Sequence, residues 1–314
     1  MAAEITHKSV LLPETLAQLA PQPDEIFVDC TLGLGGHTEA ILQTAESVEV
    51  IGIDQDTEAI RLASERLAPF GKRIKIFHAN FSEIIEVLEK AGVQKVNGVM
   101  ADLGVSSMQF DDARRGFSFR FDAPLDMRMN ADSDEETAAE LLDRLSEEEI
   151  ADIIYKYGEE RMSRRIARRI VWKRELGEPV TTTRELAETV EKAIGRGKSK
   201  DKIHPATRTF QALRIAVNRE IEILEKFIKD AVESLKPAGR LAIITFHSLE
   251  DRVVKQTFQK LAGKCECPPR LPQCVCGAKK EIEILTRKPI VPEPSEIAEN
   301  PRARSAKLRV CAKI

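Results

Sequence analysis

Ile26-Phe27-Val28-Asp29-Cys30-Thr31-Leu32-Gly33-Leu34-Gly35-Gly36-His37 is an apolar run that ends on an acid and then breaks into glycines. The run reads as a buried strand. The glycines read as a turn into a helix, whose backbone amides can approach a ligand without interference from a Cβ. Two more apolar runs end on acids, Val48–Ile53 on Asp54 and Val96–Ala101 on Asp102. An acid closing the strand after such a turn is placed to accept hydrogen bonds from ribose hydroxyls. Three strand ends of this kind predict a Rossmann-like pocket for an adenosine-containing molecule.

Around that stretch the chain alternates. Strands are predicted at Ile26–Asp29, Val48–Asp54, Ile74–His78 and Val96–Asp102, with helices at Gly36–Ala45, Thr57–Ala68 and Ser82–Ala91. This rhythm predicts an α/β fold with a parallel, doubly wound sheet and ligands at the carboxyl ends of its strands. It stops at 103–135, a loop rich in Gly, Ser, Arg, Asp and Phe, and Ala138–Gly195 then has a helical pattern broken at Gly177-Glu178-Pro179. One long helix is predicted over about Thr207–Leu235, ended by Lys236-Pro237-Ala238-Gly239. A strand at Arg240–Phe246, a helix at Leu249–Leu261 and closing strands at Lys280–Leu285 and Lys307–Ala312 follow. The expected organisation is a sheet domain of residues 1–108 and 207–314, interrupted by a mainly helical domain over 109–206.

The glycine spacing narrows the ligand. Nicotinamide folds use G-x-G-x-x-G to hold a pyrophosphate at a helix N-terminus. Here the third glycine follows the second directly, and Asp29 precedes the loop. A carboxylate there repels a pyrophosphate but suits S-adenosylmethionine, which carries an ammonium and a sulfonium and no phosphate. The duller reading of the loop alone is a tight strand–helix turn; Asp54 and Asp102 favour a methyltransferase.

A net charge of −3 over 314 residues means that any nucleic-acid contact must come from local patches. No apolar stretch reaches membrane-spanning length and Met1–Val10 lacks a signal-peptide core, so a cytoplasmic protein is expected. One patch stands out: Arg161–Arg174 holds seven Arg or Lys and no acid. On a helical wheel Met162, Ile166, Ala167, Ile170 and Val171 share one side; Arg161, Arg164, Arg165, Arg168 and Arg169 share the other, with Trp172 among them. Such a face either pairs with nearby glutamates or meets a phosphate backbone and an unstacked base. Arg196, Lys198, Lys200 and Lys202 add charge further on. Cys30 and Cys311 look like core residues, whereas Cys265, Cys267, Cys274 and Cys276 read as a zinc site, as reduced surface thiols or as a redox-sensitive disulfide.

Longer motifs are more specific. They are Asp102-Leu-Gly-Val-Ser-Ser-Met-Gln109, Arg115-Gly-Phe-Ser-Phe119, Pro124-Leu-Asp-Met-Arg-Met129, Tyr157-Gly-Glu-Glu-Arg161, His204-Pro-Ala-Thr-Arg-Thr-Phe-Gln-Ala212, Phe246-His-Ser-Leu-Glu-Asp251 and Asn300-Pro-Arg-Ala-Arg-Ser305. From His7 to the last strand the series resembles the cytosine-N4 methyltransferases of small-subunit ribosomal RNA, the MraW family. The resemblance implies methyl transfer from S-adenosyl-L-methionine to N4 of one cytidine in 16S rRNA, near the decoding centre. It also implies a class I Rossmann-like methyltransferase sheet with an inserted helical substrate-recognition domain. Cofactor contacts carry over to Gly35, Gly36, His37, Asp54, Phe81, Asp102 and Gln109, and require no metal.

Each carried-over role has a physical rationale and a rival. Asp54 would bind ribose hydroxyls or cap the next helix; Phe81 would lie against adenine or in the core. His37 would donate to the methionine carboxylate or cap the turn, and Gln109 would offer a donor and an acceptor or bind its own loop. Asp102 is the candidate catalytic acceptor for the N4 proton, with His247 as the alternative. Phe117, Phe119 and Phe246 are candidates to stack on the base. Arg161, Arg164, Arg165, Arg168 and Trp172 are the candidate RNA contacts, and the basic face as a homodimer contact is the competing use. Competing functions are methylation of a protein or small molecule and a non-catalytic ribosome-assembly role.

Overall fold

A computed structural model describes residues 8–195, 204–265, 267 and 277–314. The chain begins with α1 (Leu12–Leu19) and then alternates through β1 (Ile26–Asp29), α2 (Gly36–Leu42), β2 (Glu49–Asp54), α3 (Thr57–Leu67), β3 (Ile74–His78), α4 (Ile84–Ala91) and β4 (Val96–Asp102). A helical stretch follows: α5 (Ser107–Asp111), α6 (Ala138–Arg144), α7 (Glu147–Gly158), α8 (Ser163–Glu175), α9 (Thr183–Ile194) and α10 (Thr207–Val217). The chain returns through α11 (Glu220–Ser234), β5 (Leu235–Thr245), α12 (Ser248–Leu261), β6 (Ile282–Ile284), α13 (Pro294–Glu299) and β7 (Lys307–Lys313). Two compact units result: residues up to Gly104 with Ile221–Ile314, and Val105–Glu220.

The first unit is an α/β Rossmann-like sheet of order β3-β2-β1-β4-β5-β7-β6, parallel except for β7, which runs antiparallel to β5 and β6. Its inner strands β1, β2 and β4 are mostly apolar because both faces are covered. Val28, Ile51, Val99, Leu241 and Ile243 pack with Val87, Phe227 and Phe258 from the helices on one face. Their strand neighbours Phe27, Val50, Met100, Ala242 and Ile244 pack with Ile41, Ala63 and Leu67 on the other. Alternate residues pointing to opposite faces make this two-sided core. Strand order reverses at β1–β4, where the crevice at the carboxyl ends accepts ligands in open sheets.

The second unit is helical, around Leu141, Ile150, Ile154, Ile166, Ile170, Leu186, Val190 and Leu213. Side-chain caps start four of its helices, at Ser106/Gln109, Thr137/Glu140, Ser146/Glu149 and Thr182/Glu185. Each pair satisfies two otherwise orphan amides, and the cap side chain contributes about 1 kcal/mol.

Three expectations need correction. The long helix over 207–235 is two helices, because Arg219 has φ +51° and Asn218 turns inward, donating to the Met127 carbonyl and accepting from the Met129 amide. Lys236–Gly239 does not simply stop a helix: α11 ends at Ser234, and the tetrapeptide lies within β5, where the register with β4 slips and Ala238 has φ +64°. The 103–135 segment is not wholly loop, since Ser107–Asp111 is helical behind its capping box.

Candidate functional site

The carboxyl end of β1 continues upward after the strand proper. Cys30 N–H donates to Met100 O at 2.9 Å and Leu32 N–H to Ile53 O at 2.9 Å, so the chain rises between β4 and β2 before turning. Gly35 has φ +78°, and a Cβ there would lie 3.0 Å from Leu67 Cδ1. At Gly36 a Cβ would lie 2.1 Å from Ser9 Oγ, so only glycine lets the segment around Ser9 sit against the start of α2. The turn is therefore required by close approach as well as by backbone conformation.

Asp54 fastens this turn. Its Oδ2 accepts from the Gly33 amide at 2.7 Å and its Oδ1 from the Asp56 amide at 2.9 Å. The helix cap expected of Asp54 belongs to Asp56, whose Oδ1 accepts from the amides of Glu58 and Ala59 at the start of α3. No spacing rule reveals that the acid of β2 reaches the loop of β1; adjacency in the sheet does that.

The other two acids are deeper. Asp29 accepts from Thr38 Oγ1 at 2.8 Å and from the Thr31 amide at 3.2 Å, yet burial pushes its pKa up to about 6. Asp102 donates its amide to Thr31 Oγ1 at 2.6 Å, while its Oδ1 is buried with no hydrogen-bond partner among the described residues. Burial, with the charges of Asp29 and Glu250, raises the Asp102 carboxyl well above the usual carboxylate range. Three carboxyl groups thus gather around the glycine turn, and one of their oxygens, Asp102 Oδ1, has no partner among the described residues.

His37 is buried on α2, its Nε2 3.1 Å from Val10 O. Phe81 is half-buried just beyond β3, edge-on to Phe227 with centroids 5.0 Å apart. His247 accepts the Glu250 amide through Nδ1, and Glu250 accepts the amides of Phe246 and His247, so both serve as the cap of α12. The His247 Nε2 lies 3.1 Å from Glu250 Oε1 but outside hydrogen-bonding geometry. In the second unit Gln109 is buried, its Oε1 accepting from the Ser106 amide. Phe117 lies in the helical core, and Phe119 stacks on His204 at 4.5 Å and meets Phe210 edge-on. Phe246 packs partly buried in the sheet unit.

Along α8 the apolar side is buried as the wheel requires, and the cationic side is open. Arg168 lies 3.4 Å from Glu147, and Arg169 sits 5.4 Å over the Trp172 ring, which is 49% exposed. Arg161, Arg164 and Arg165 are exposed and have no acidic partner among the described residues. Cys265 and Cys267 are near the surface; Cys274, Cys276, Arg196, Lys198, Lys200 and Lys202 lie outside the described residues.

Sequence comparison adds what geometry alone does not. A ribosomal RNA small subunit methyltransferase H of Geotalea daltonii is 49% identical, covering 99% of this chain and 100% of that protein. One of Syntrophotalea carbinolica is 50% identical over 98% of both chains, and one of Clostridium botulinum is 51% identical over 99% of this chain and 100% of its own. Residues 4–314 match the MraW methylase family, and with the glycine turn, the acids of three strand ends and these full-length relatives, the chain belongs to that family.

Proposed function

We propose that this chain is an S-adenosyl-L-methionine-dependent methyltransferase of small-subunit ribosomal RNA, and that its acceptor is N4 of a single cytidine in the decoding region of 16S rRNA. The observation that carries the reading is the buried, unfilled Oδ1 of Asp102 beside a glycine turn already fastened by Asp54. When bound, the donor supplies a methyl group activated by its sulfonium.

The residues present fit such a donor. The Gly35–Gly36 turn lets backbone come close, Asp54 serves the ribose hydroxyls, and the exposed part of Phe81 borders the adenine. His37 acts by holding the Val10 carbonyl against α2. Carboxyl groups at Asp29, Asp54 and Asp102 suit an ammonium and a sulfonium better than a pyrophosphate.

Asp102 then serves the reaction. Cytosine N4 is a weak nucleophile because its lone pair is delocalised into the ring, and an acceptor for its N–H localises that pair and receives the departing proton. Burial disfavours the ionised form of this carboxyl, and a cation beside it would favour that form. His247 has its Nδ1 committed to the cap of α12, which favours Asp102 for the role.

RNA is preferred to a protein or small-molecule acceptor because Arg161, Arg164 and Arg165 present charge with no acidic partner among the described residues. Calorimetry tests the donor: S-adenosyl-L-methionine and its demethylated product should bind, and a nicotinamide dinucleotide should not. Tight dinucleotide binding without uptake of the methyl donor would overturn the assignment.

A further inference from the structure

Where α7 turns into α8, the second unit has an open cleft of about 510 Å³ lined by Ala151, Asp152, Tyr155, Arg161, Met162, Ser163, Arg164 and Arg165. Its size lies within the range of small-ligand sites. The cleft exists because Glu159, at φ +51°, reverses the chain after Gly158. Gly158 in turn lies so close to α10 that a Cβ would sit 2.5 Å from the Arg208 carbonyl. The turn is thus fixed by packing.

Two features of the lining point to one class of ligand. Tyr155 is 61% exposed, and no hydrogen bond holds its hydroxyl among the described residues. An aromatic ring in solvent is the platform on which an unstacked base lies, whatever its identity. Beside it stand three guanidinium groups without acidic partners, while the single acid of the lining, Asp152, is neutralised by Lys156 at 3.3 Å. Guanidinium groups match phosphate by fork geometry, and their charge attracts a single strand.

We propose that this cleft is a subsite for one nucleotide of a single-stranded RNA segment, with its base stacked on Tyr155 and its phosphates held by Arg161, Arg164 and Arg165. It rests on the reading of RNA as substrate and adds where an unpaired nucleotide outside the reacting one is gripped. Stacking gives the subsite tolerance of base identity; the guanidinium groups give it dependence on salt.

The test is fluorescence anisotropy of a short labelled oligoadenylate RNA with the full chain. Tyr155→Ala should weaken binding about tenfold or more, and Tyr155→Phe should restore it to within about twofold, since stacking needs the ring and not the hydroxyl. The triple change Arg161→Gln, Arg164→Gln, Arg165→Gln should flatten the logarithmic salt dependence by about 0.7 per lost phosphate contact. Arg184→Gln, exposed elsewhere in this unit and 3.5 Å from Asp122, should leave that slope nearly unchanged. Thermal midpoints establish that each variant folds. Wild-type affinity in Tyr155→Ala, or no binding of the oligomer by the wild type, overturns the subsite. Failure of the wild type to methylate small subunits would instead overturn the assigned substrate.

Discussion

The strand-end carboxylates of the sheet unit and the arginine face of the helical unit are two charged regions built in opposite ways. The Asp29 and Asp54 carboxylates are held by backbone amides and a threonine hydroxyl, and the Asp102 Oδ1 is buried with no partner among the described residues. Arg161, Arg164 and Arg165 stand in solvent with no acidic partner among the described residues. A buried charge costs so much that its surroundings must be fixed beforehand, and its ionisation then responds strongly to a ligand. An exposed charge costs little and adapts to a partner's shape, at the expense of being screened by salt. The proposed function gives chemistry to the first arrangement and capture of a long polyanion to the second.

The sharpest way to break the contrast is Asp102→Asn. The carboxamide keeps the shape and one accepting oxygen but cannot take up the departing proton, so single-turnover methylation should fall by roughly 10²- to 10⁴-fold with the donor saturating. Unchanged turnover would remove Asp102 from the chemistry and leave its buried oxygen as a structural feature only.

Burial of Asp29 should be visible in stability. Its folded pKa of about 6 lies above the unfolded value of 3.8, so the folded chain holds a proton that the unfolded chain has already released. Its contribution is therefore complete below about pH 4 and is lost as pH rises through about 6, a change of roughly 3 kcal/mol at most. Urea unfolding at pH 4.5 and 7.5 checks this: Asp29→Asn should gain on the wild type as pH rises. A constant difference would show that Asp29 titrates normally.

Gly35→Ala should cost about 1–2 kcal/mol, since it combines left-handed backbone with a Cβ 3.0 Å from Leu67. Donor affinity should fall with it, measurable by calorimetry beside a thermal melt. The smallest effect belongs to the exposed face: Arg168→Gln should weaken RNA binding less than about threefold, because Glu147 already engages that guanidinium.

How much of this the residues announced also differs between the two regions. Strands β1 and β4 begin and end where the apolar runs and their terminal acids place them, since a strand covered on both faces has little freedom in composition, and β3 spans the expected Ile74–His78. The three acids were legible for the same reason. What Asp54 does was not, because its bond to Gly33 spans two strands that only sheet pairing makes neighbours. The break at Asn218–Arg219 carries no proline or glycine; it comes from the tertiary bonds of Asn218 to Met127 and Met129. The four capping boxes of the helical unit were open to detection by their spacing of Ser or Thr and Glu or Gln, and they fix helix starts that apolar periodicity left blurred. Tyr155 gave no signal, because a lone tyrosine on a helix acquires meaning only when the next turn brings arginines beside it.

The most direct measurement incubates small ribosomal subunits that lack the modification with the purified chain and a methyl-labelled donor, and then maps the labelled nucleotide. Label confined to N4 of one cytidine in the decoding region of 16S rRNA is the expected result. Label on protein, on another nucleobase or nowhere would contradict the proposed function.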